Sequence, residues 1–179
     1  MPELPEVEVV KKSLNKKIQN LVIEKVKIID KNLRYEVNKH ELLKVIGRRI
    51  IKIDRRSKFL IFKMNKNINL LFHLGMTGKF FFINRKKKKF KTSFYYSLND
   101  IKDKKHDRII FFFHKNQKLI YNDIRKFGFV KLYNHDDLYS SFHIKNLGPE
   151  PLENRFNKDY FKKYIIGRDR KIKDILMDQ

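Results

Sequence analysis

The residues best suited to chemistry stand at the start of the chain, in Met1-Pro2-Glu3-Leu4-Pro5-Glu6-Val7-Glu8. A proline after the initiator methionine is small enough for the methionine to be trimmed, which leaves a secondary amine at the chain end. An α-amino group has a pKa near about 7.7–8.0, so a usable fraction is unprotonated at neutral pH, where a lysine is almost wholly charged. Such an amine attacking a carbonyl-like carbon gives an iminium, an electron sink for a later bond cleavage. Glu3 is one peptide bond away, placed for proton transfer. The same octapeptide also reads as a helix start, with proline in the first turn and glutamates near the positive end of the helix dipole. Glu6 serves either the site or that helix start.

These groups need a scaffold, and the sequence supplies one. Residues 4–18 read as a helix, with Val7, Val10, Leu14 and Ile18 on one side and Lys11, Lys12, Lys16 and Lys17 on the other. Strands follow at 21–29, 45–55, 58–64, 68–74, 79–83, 93–98, 108–114, 118–122 and 127–133, rich in Ile, Val, Phe and Tyr and separated by short polar stretches such as 84–91. The apolar runs Phe80 to Phe82 and Ile109 to Phe113 read as core strands. Many short strands at close spacing predict a mainly β fold, a two-layered sandwich with an N-terminal helix. Leu147-Gly148-Pro149-Glu150-Pro151-Leu152 can continue neither a helix nor a central strand, so it marks a boundary. The expected division is a sandwich domain over 1–146, then a hinge and the start of a helical domain over 147–179. In that second part a helix is predicted over 157–166, with Gly167 as its stop. Another begins near Asp169 and exposes Ile172, Ile175 and Leu176, so the chain reads as cut off inside a further domain.

The net charge of +23 makes a polyanion, above all nucleic acid, the natural partner. The lysine run at 86–89 fits a solvated loop or coding bias equally well. The arginines at 48, 49, 55, 56, 108 and 125 are more informative, because a guanidinium fork suits phosphate and base edges. The chain has no cysteine, hence no disulfide and no thiolate metal site, and its six histidines are scattered. With no apolar run of membrane-spanning length and no signal-peptide pattern, the expectation is a soluble cytoplasmic protein, nucleoid-associated when bound to DNA.

Five ordered segments carry a resemblance to a known family. Pro2 to Glu8 resembles the mature N-terminus of the formamidopyrimidine-DNA glycosylases. Arg55-Arg56-Ser57-Lys58-Phe59-Leu60 resembles their β-hairpin lysine motif, and His73-Leu74-Gly75-Met76-Thr77-Gly78 their HLGMxG loop. Asp123-Ile124-Arg125-Lys126-Phe127-Gly128 resembles their DPRRFG loop, and Leu147 to Leu152 their LGPEPL segment. Ile124 stands where proline is usual, and Lys126 replaces an arginine.

The resemblance implies a repair enzyme for oxidised purines such as 8-oxoguanine and formamidopyrimidines, working as a monomer on double-stranded DNA that carries such lesions or abasic sites. It implies Pro2 as Schiff-base nucleophile, Glu3 as proton donor and acceptor, and Lys58 as the cation that assists strand elimination. Without the resemblance, Lys58 reads as a surface lysine at a hairpin tip. A base must leave the duplex to be reached. By resemblance Met76, Arg125 and Phe127 fill the void it leaves, and His106, Lys126, Arg168 and Arg170 touch DNA. Taken singly, Met76 and Phe127 read as core residues and Arg125 as a phosphate anchor. No cofactor is expected for this chain; the family's structural zinc belongs to a C-terminal finger with four cysteines. Half of the family's DNA clamp is thus expected to be missing, with slow excision as the consequence. The alternative is a basic nucleic-acid-binding protein that keeps the fold without turnover.

Overall fold

The computed structural model describes residues 2–93 and 104–177. They group into two compact units, Met1–Tyr139 and Ser140–Gln179, so the division falls ahead of the proline-rich segment at 147–152.

The first unit opens with α1 (Leu4–Ile18). Val7, Val10, Leu14 and Ile18 are all buried at helical spacing, each stabilising the helix by roughly 1.5–3 kcal/mol. Nine strands follow among the described residues: β1 (Ile23–Ile28), β2 (Ile50–Arg56), β3 (Phe59–Met64), β4 (Ile68–His73), β5 (Lys79–Ile83), β6 (Lys89–Lys91), β7 (Asp107–Phe113), β8 (Gln117–Asn122) and β9 (Phe129–Asn134). They form two antiparallel sheets, ordered β1-β7-β8-β5-β6 and β2-β3-β4-β9. The expected sandwich is therefore what the chain forms. Rings interleave between the sheets: Phe72 of one lies 5.1 Å from Phe80 and 5.6 Å from Tyr121 of the other.

Some elements differ from the sequence reading. The strand expected over 45–55 begins only at Ile50, because 45–48 closes the turn after a short helix, α2 (Lys39–Leu43). Asn38 caps that helix by accepting from the Glu41 amide at 3.1 Å. The polar stretch 84–91 ends in β6, where Phe90 pairs opposite Phe82. A helix α3 (His135–Ser140) follows β9. From residue 94 on, the strand expected over 93–98 lies outside the described residues.

In the second unit, α4 (Lys158–Ile165) is capped by Asn157, which accepts from the Tyr160 amide at 2.9 Å. Then α5 (Ile172–Met177) starts later than Asp169. Ile172 and Leu176 are exposed as expected, but Ile175 is only 5% exposed, so the apolar stripe is partly covered. No helix among the described residues is long and apolar enough to cross a membrane.

Candidate active site

The N-terminus of α1 and the β2–β3 turn meet because helix and strand run side by side. β2 lies at the edge of its sheet and so carries an unpaired row of backbone groups. The Asn15 amide covers that edge: its Nδ2 donates to the Ile53 carbonyl and its Oδ1 accepts from the Ile53 amide, both at 2.7 Å. One step toward the helix start, Arg55 Nε donates to Glu8 Oε2 at 2.8 Å while Arg55 Nη1 holds the Ser57 carbonyl at 3.0 Å. At the end of this ladder Lys58 Nζ reaches Glu3 Oε2 at 2.8 Å. Lys58 is thus no free lysine at a hairpin tip; its side chain is 12% exposed against 59% for Glu3. Burial pushes the Glu8 carboxyl up, but hydrogen bonds and charge from Lys11 and Arg55 outweigh it and hold the group below its ordinary value. Glu6 closes a capping box by accepting the Glu3 amide, so it fixes the backbone that carries Glu3. Pro2 is half-buried directly before this cap.

The loops 74–78 and 123–128 form a second cluster. Asp123, fully buried, holds both. Its Oδ1 accepts from Thr77 Oγ1 at 2.5 Å, and its Oδ2 accepts from the Gly128 amide at 2.9 Å and the Tyr121 hydroxyl at 3.3 Å. Thr77 Oγ1 in turn accepts the Arg125 amide at 2.9 Å. The core ring of Tyr121 therefore sets the height of the loop. Gly75 has φ +62°, and a Cβ there would lie 2.4 Å from the Phe127 carbonyl carbon, so the two backbones touch. Met76, Arg125 and Phe127 are exposed on these loops, with the Arg125 guanidinium 4.6 Å from the Phe127 ring centroid.

The structure brings His106 and Lys126 beside this second cluster. His106 gives its carbonyl to the Asp123 amide at 2.9 Å, and its Nδ1 lies 3.3 Å from Arg108 Nη2. Lys126 Nζ is paired with Asp30 Oδ2 at 2.8 Å. That hydrogen bond, followed by one from the Asn32 amide, holds the Asp30 carboxyl below its ordinary value against a smaller opposing effect of burial. Arg168 and Arg170 belong to the second unit, where Arg168 sits 4.1 Å over the Tyr164 ring and Arg170 Nη2 donates to the Asp174 carbonyl at 3.3 Å. Three of the six arginines read as suited to phosphate have internal partners. Arg108 is buried, Arg55 serves Glu8, and Arg49 Nη1 donates to the Asn20 carbonyl at 3.2 Å. Sequence reasoning missed Asp30, Thr77 and Arg108 as organisers of the loops. Only Thr77 had a local signal, a hydroxyl between two glycines.

A helix start carrying Pro-Glu thus lies against a hairpin lysine, on an antiparallel sandwich whose two loops interlock. Residues 1–130 match the profile of the formamidopyrimidine-DNA glycosylase N-terminal domain, and the chain belongs to that family. A formamidopyrimidine-DNA glycosylase of Rickettsia bellii is 38% identical over 178 residues, covering 99% of this chain and 60% of the relative. One of Rhodopseudomonas palustris is 32% identical over 179 residues, covering 61% of the relative. Among solved structures, Lactococcus lactis Fpg bound to DNA with an abasic site superposes with a TM-score of 0.79 at 30% identity, covering 98% of this chain and 60% of that one. The same protein bound to DNA containing N7-benzyl-Fapy-dG superposes equally well at 31% identity. The chain thus spans about 60% of the length of the curated relatives it matches. Its 179 residues contain no cysteine, so they do not supply the four-cysteine zinc ligands the family resemblance implies.

Proposed function

We propose that this chain is the catalytic part of a bifunctional DNA glycosylase and abasic-site lyase that excises oxidised purines, 8-oxoguanine and formamidopyrimidines, from duplex DNA. The observation that carries the reading is the 2.8 Å pair between Lys58 and Glu3 directly after Pro2, made across most of a sheet edge by three successive helix–strand contacts. Removal of Met1 converts the Pro2 nitrogen from a tertiary amide into a secondary amine. Its lone pair attacks C1′ of the damaged nucleotide, and the bond from C1′ to the base breaks with its electron pair leaving on the base, through an oxocarbenium-like state. Glu3 delivers the proton. The C1′–O4′ bond then opens, O4′ taking up the proton that the Pro2 nitrogen gives up, and the product is an open-chain iminium between Pro2 and C1′. Loss of a C2′ proton then expels the 3′ phosphate, and further elimination expels the 5′ phosphate. Lys58 stands where a cation offsets the phosphate charge and supplies a proton to a leaving oxygen. Met76, Arg125 and Phe127 enter the stack where the base has left, Met76 and Phe127 as apolar wedges and Arg125 toward the unpaired partner.

The acid role of Glu3 is tested by Glu3→Gln. Release of 8-oxoguanine should fall far more than cleavage of a ready-made abasic site, since the latter has no base to protonate. Native-rate base release in that variant removes Glu3 from the mechanism.

A further inference from the structure

We propose that Asp30 is a positioning residue for the loop carrying Arg125 and Phe127, and that Lys126 latches onto it instead of binding DNA phosphate; this rests on reading 123–128 as the loop that enters the duplex. A single carboxylate ties down the backbone on both sides of Arg125. Asp30 Oδ2 accepts from Arg108 Nη1 at 2.9 Å and from Lys126 Nζ at 2.8 Å, while Asp30 Oδ1 accepts the Asn32 amide at 2.9 Å. Arg108, only 7% exposed, passes the hold onward: its Nε donates to the Asp123 carbonyl at 2.8 Å and its Nη2 to the Ile124 carbonyl at 3.5 Å. Lys126 holds the opposite flank, directly after Arg125. Its backbone is left-handed, φ +60°, which turns the chain sharply directly after Arg125. An acidic group beside a DNA-facing loop also works against binding a polyanion, so affinity alone does not account for Asp30. Geometry does, because Arg125 can tell one opposite base from another only if its guanidinium is held in one place.

The latch predicts an unusual separation of affinity from specificity. Three variants of the protein carrying this chain are needed: Asp30→Asn, Lys126→Met and the double variant. Binding to a duplex with a tetrahydrofuran abasic analogue is measured against salt, opposite cytosine and opposite adenine, together with amide hydrogen exchange at Arg125 without DNA. In Asp30→Asn the freed Lys126 should reach a phosphate and steepen the log–log salt slope by about 0.9. The preference for one opposite base should fall several-fold, and exchange at the Arg125 amide should rise about tenfold or more as local opening becomes easier. Lys126→Met alone should leave the slope unchanged while loosening the loop, and the double variant should lose the gain in slope. A residue that merely supports folding would lower affinity and preference together. The proposal is overturned if Lys126→Met flattens the slope by about 0.9. It is equally overturned if Asp30→Asn changes neither the preference nor the exchange. A protein that binds no abasic duplex defeats the glycosylase reading instead, and the exchange measurement still decides the latch.

Discussion

Gly75→Ala should separate loop placement from folding. At φ +62° the added Cβ would sit 2.4 Å from Phe127 C, 2.5 Å from Gly128 N and 2.7 Å from Phe127 O. All three are backbone atoms, so no side chain can swing aside. Restoring ordinary contact near 3.4 Å moves the 123–128 loop by about 1 Å, the difference from 2.4 Å. A left-handed alanine costs about 1–2 kcal/mol, and overpacking adds about 1–3 kcal/mol. The sum, about 2–5 kcal/mol, is less than the stability of most domains, about 5–15 kcal/mol, so the fold survives. The melting temperature should fall by about 4–20 °C, at about 2–4 °C per kcal/mol for a chain of this size. Displacing a positioning group by about 1 Å costs about a hundredfold in rate, and Arg125 and Phe127 ride on the loop that must move. Single-turnover excision of 8-oxoguanine should therefore drop about a hundredfold. Gly47→Ala is the control: φ is +78° but nothing lies within 4 Å, so only the backbone cost of about 1–2 kcal/mol applies and excision is kept. Equal melting temperatures and equal excision rates for the two variants would refute the claim that contact at Gly75 sets the loop.

Three further outcomes follow from the same geometry. Asn15→Ala should cost about 1–3 kcal/mol by leaving the Ile53 amide without its partner, and calorimetry should register this while opposite-base preference stays unchanged. Arg125→Ala should reduce discrimination among opposite bases; a uniform loss of affinity for every opposite base would make Arg125 a phosphate anchor only. The Glu8 carboxyl titrates below its ordinary value in the folded chain. It therefore contributes stability above the unfolded carboxylate pKa of about 4.3 and loses that contribution as pH falls through the folded value. Glu8→Gln should lower stability at neutral pH and shrink the acid-side decline in a pH series of melts, whereas an undiminished decline would assign that decline to other groups.

The parts of the fold written in local periodicity were readable. The stripe Val7, Val10, Leu14, Ile18 fixed α1, and runs such as Phe80 to Phe82 fixed core strands. Short elements were not, because α2 has five residues and β6 three, too few for any period to show. Gly47, with φ +78°, ends the α2 turn inside what composition made look like one long strand from 45. Within the candidate site, residue types could nominate Pro2 and Glu3 as chemistry. Only the family resemblance singled out Lys58, because its partner is 55 positions away and nothing local predicts their meeting. The ties that hold the two loops were invisible for the same reason: Asp30 meets Arg108 across 78 positions, and Thr77 meets Asp123 across 46. Charge also misled. Arginines that looked ready for phosphate proved to be internal ties, since a buried guanidinium forks as well onto carbonyls and carboxylates as onto DNA.

The most direct test of the account is where the protein becomes joined to DNA. Borohydride reduction in the presence of a duplex bearing an abasic site should trap an adduct, and peptide mapping should place it on the nitrogen of Pro2 in protein from which Met1 has been removed. Pro2→Gly should trap less, and protein retaining Met1 should trap none. Equal trapping with Met1 still attached, or an adduct that maps to Lys58, would contradict the assignment of Pro2 as nucleophile.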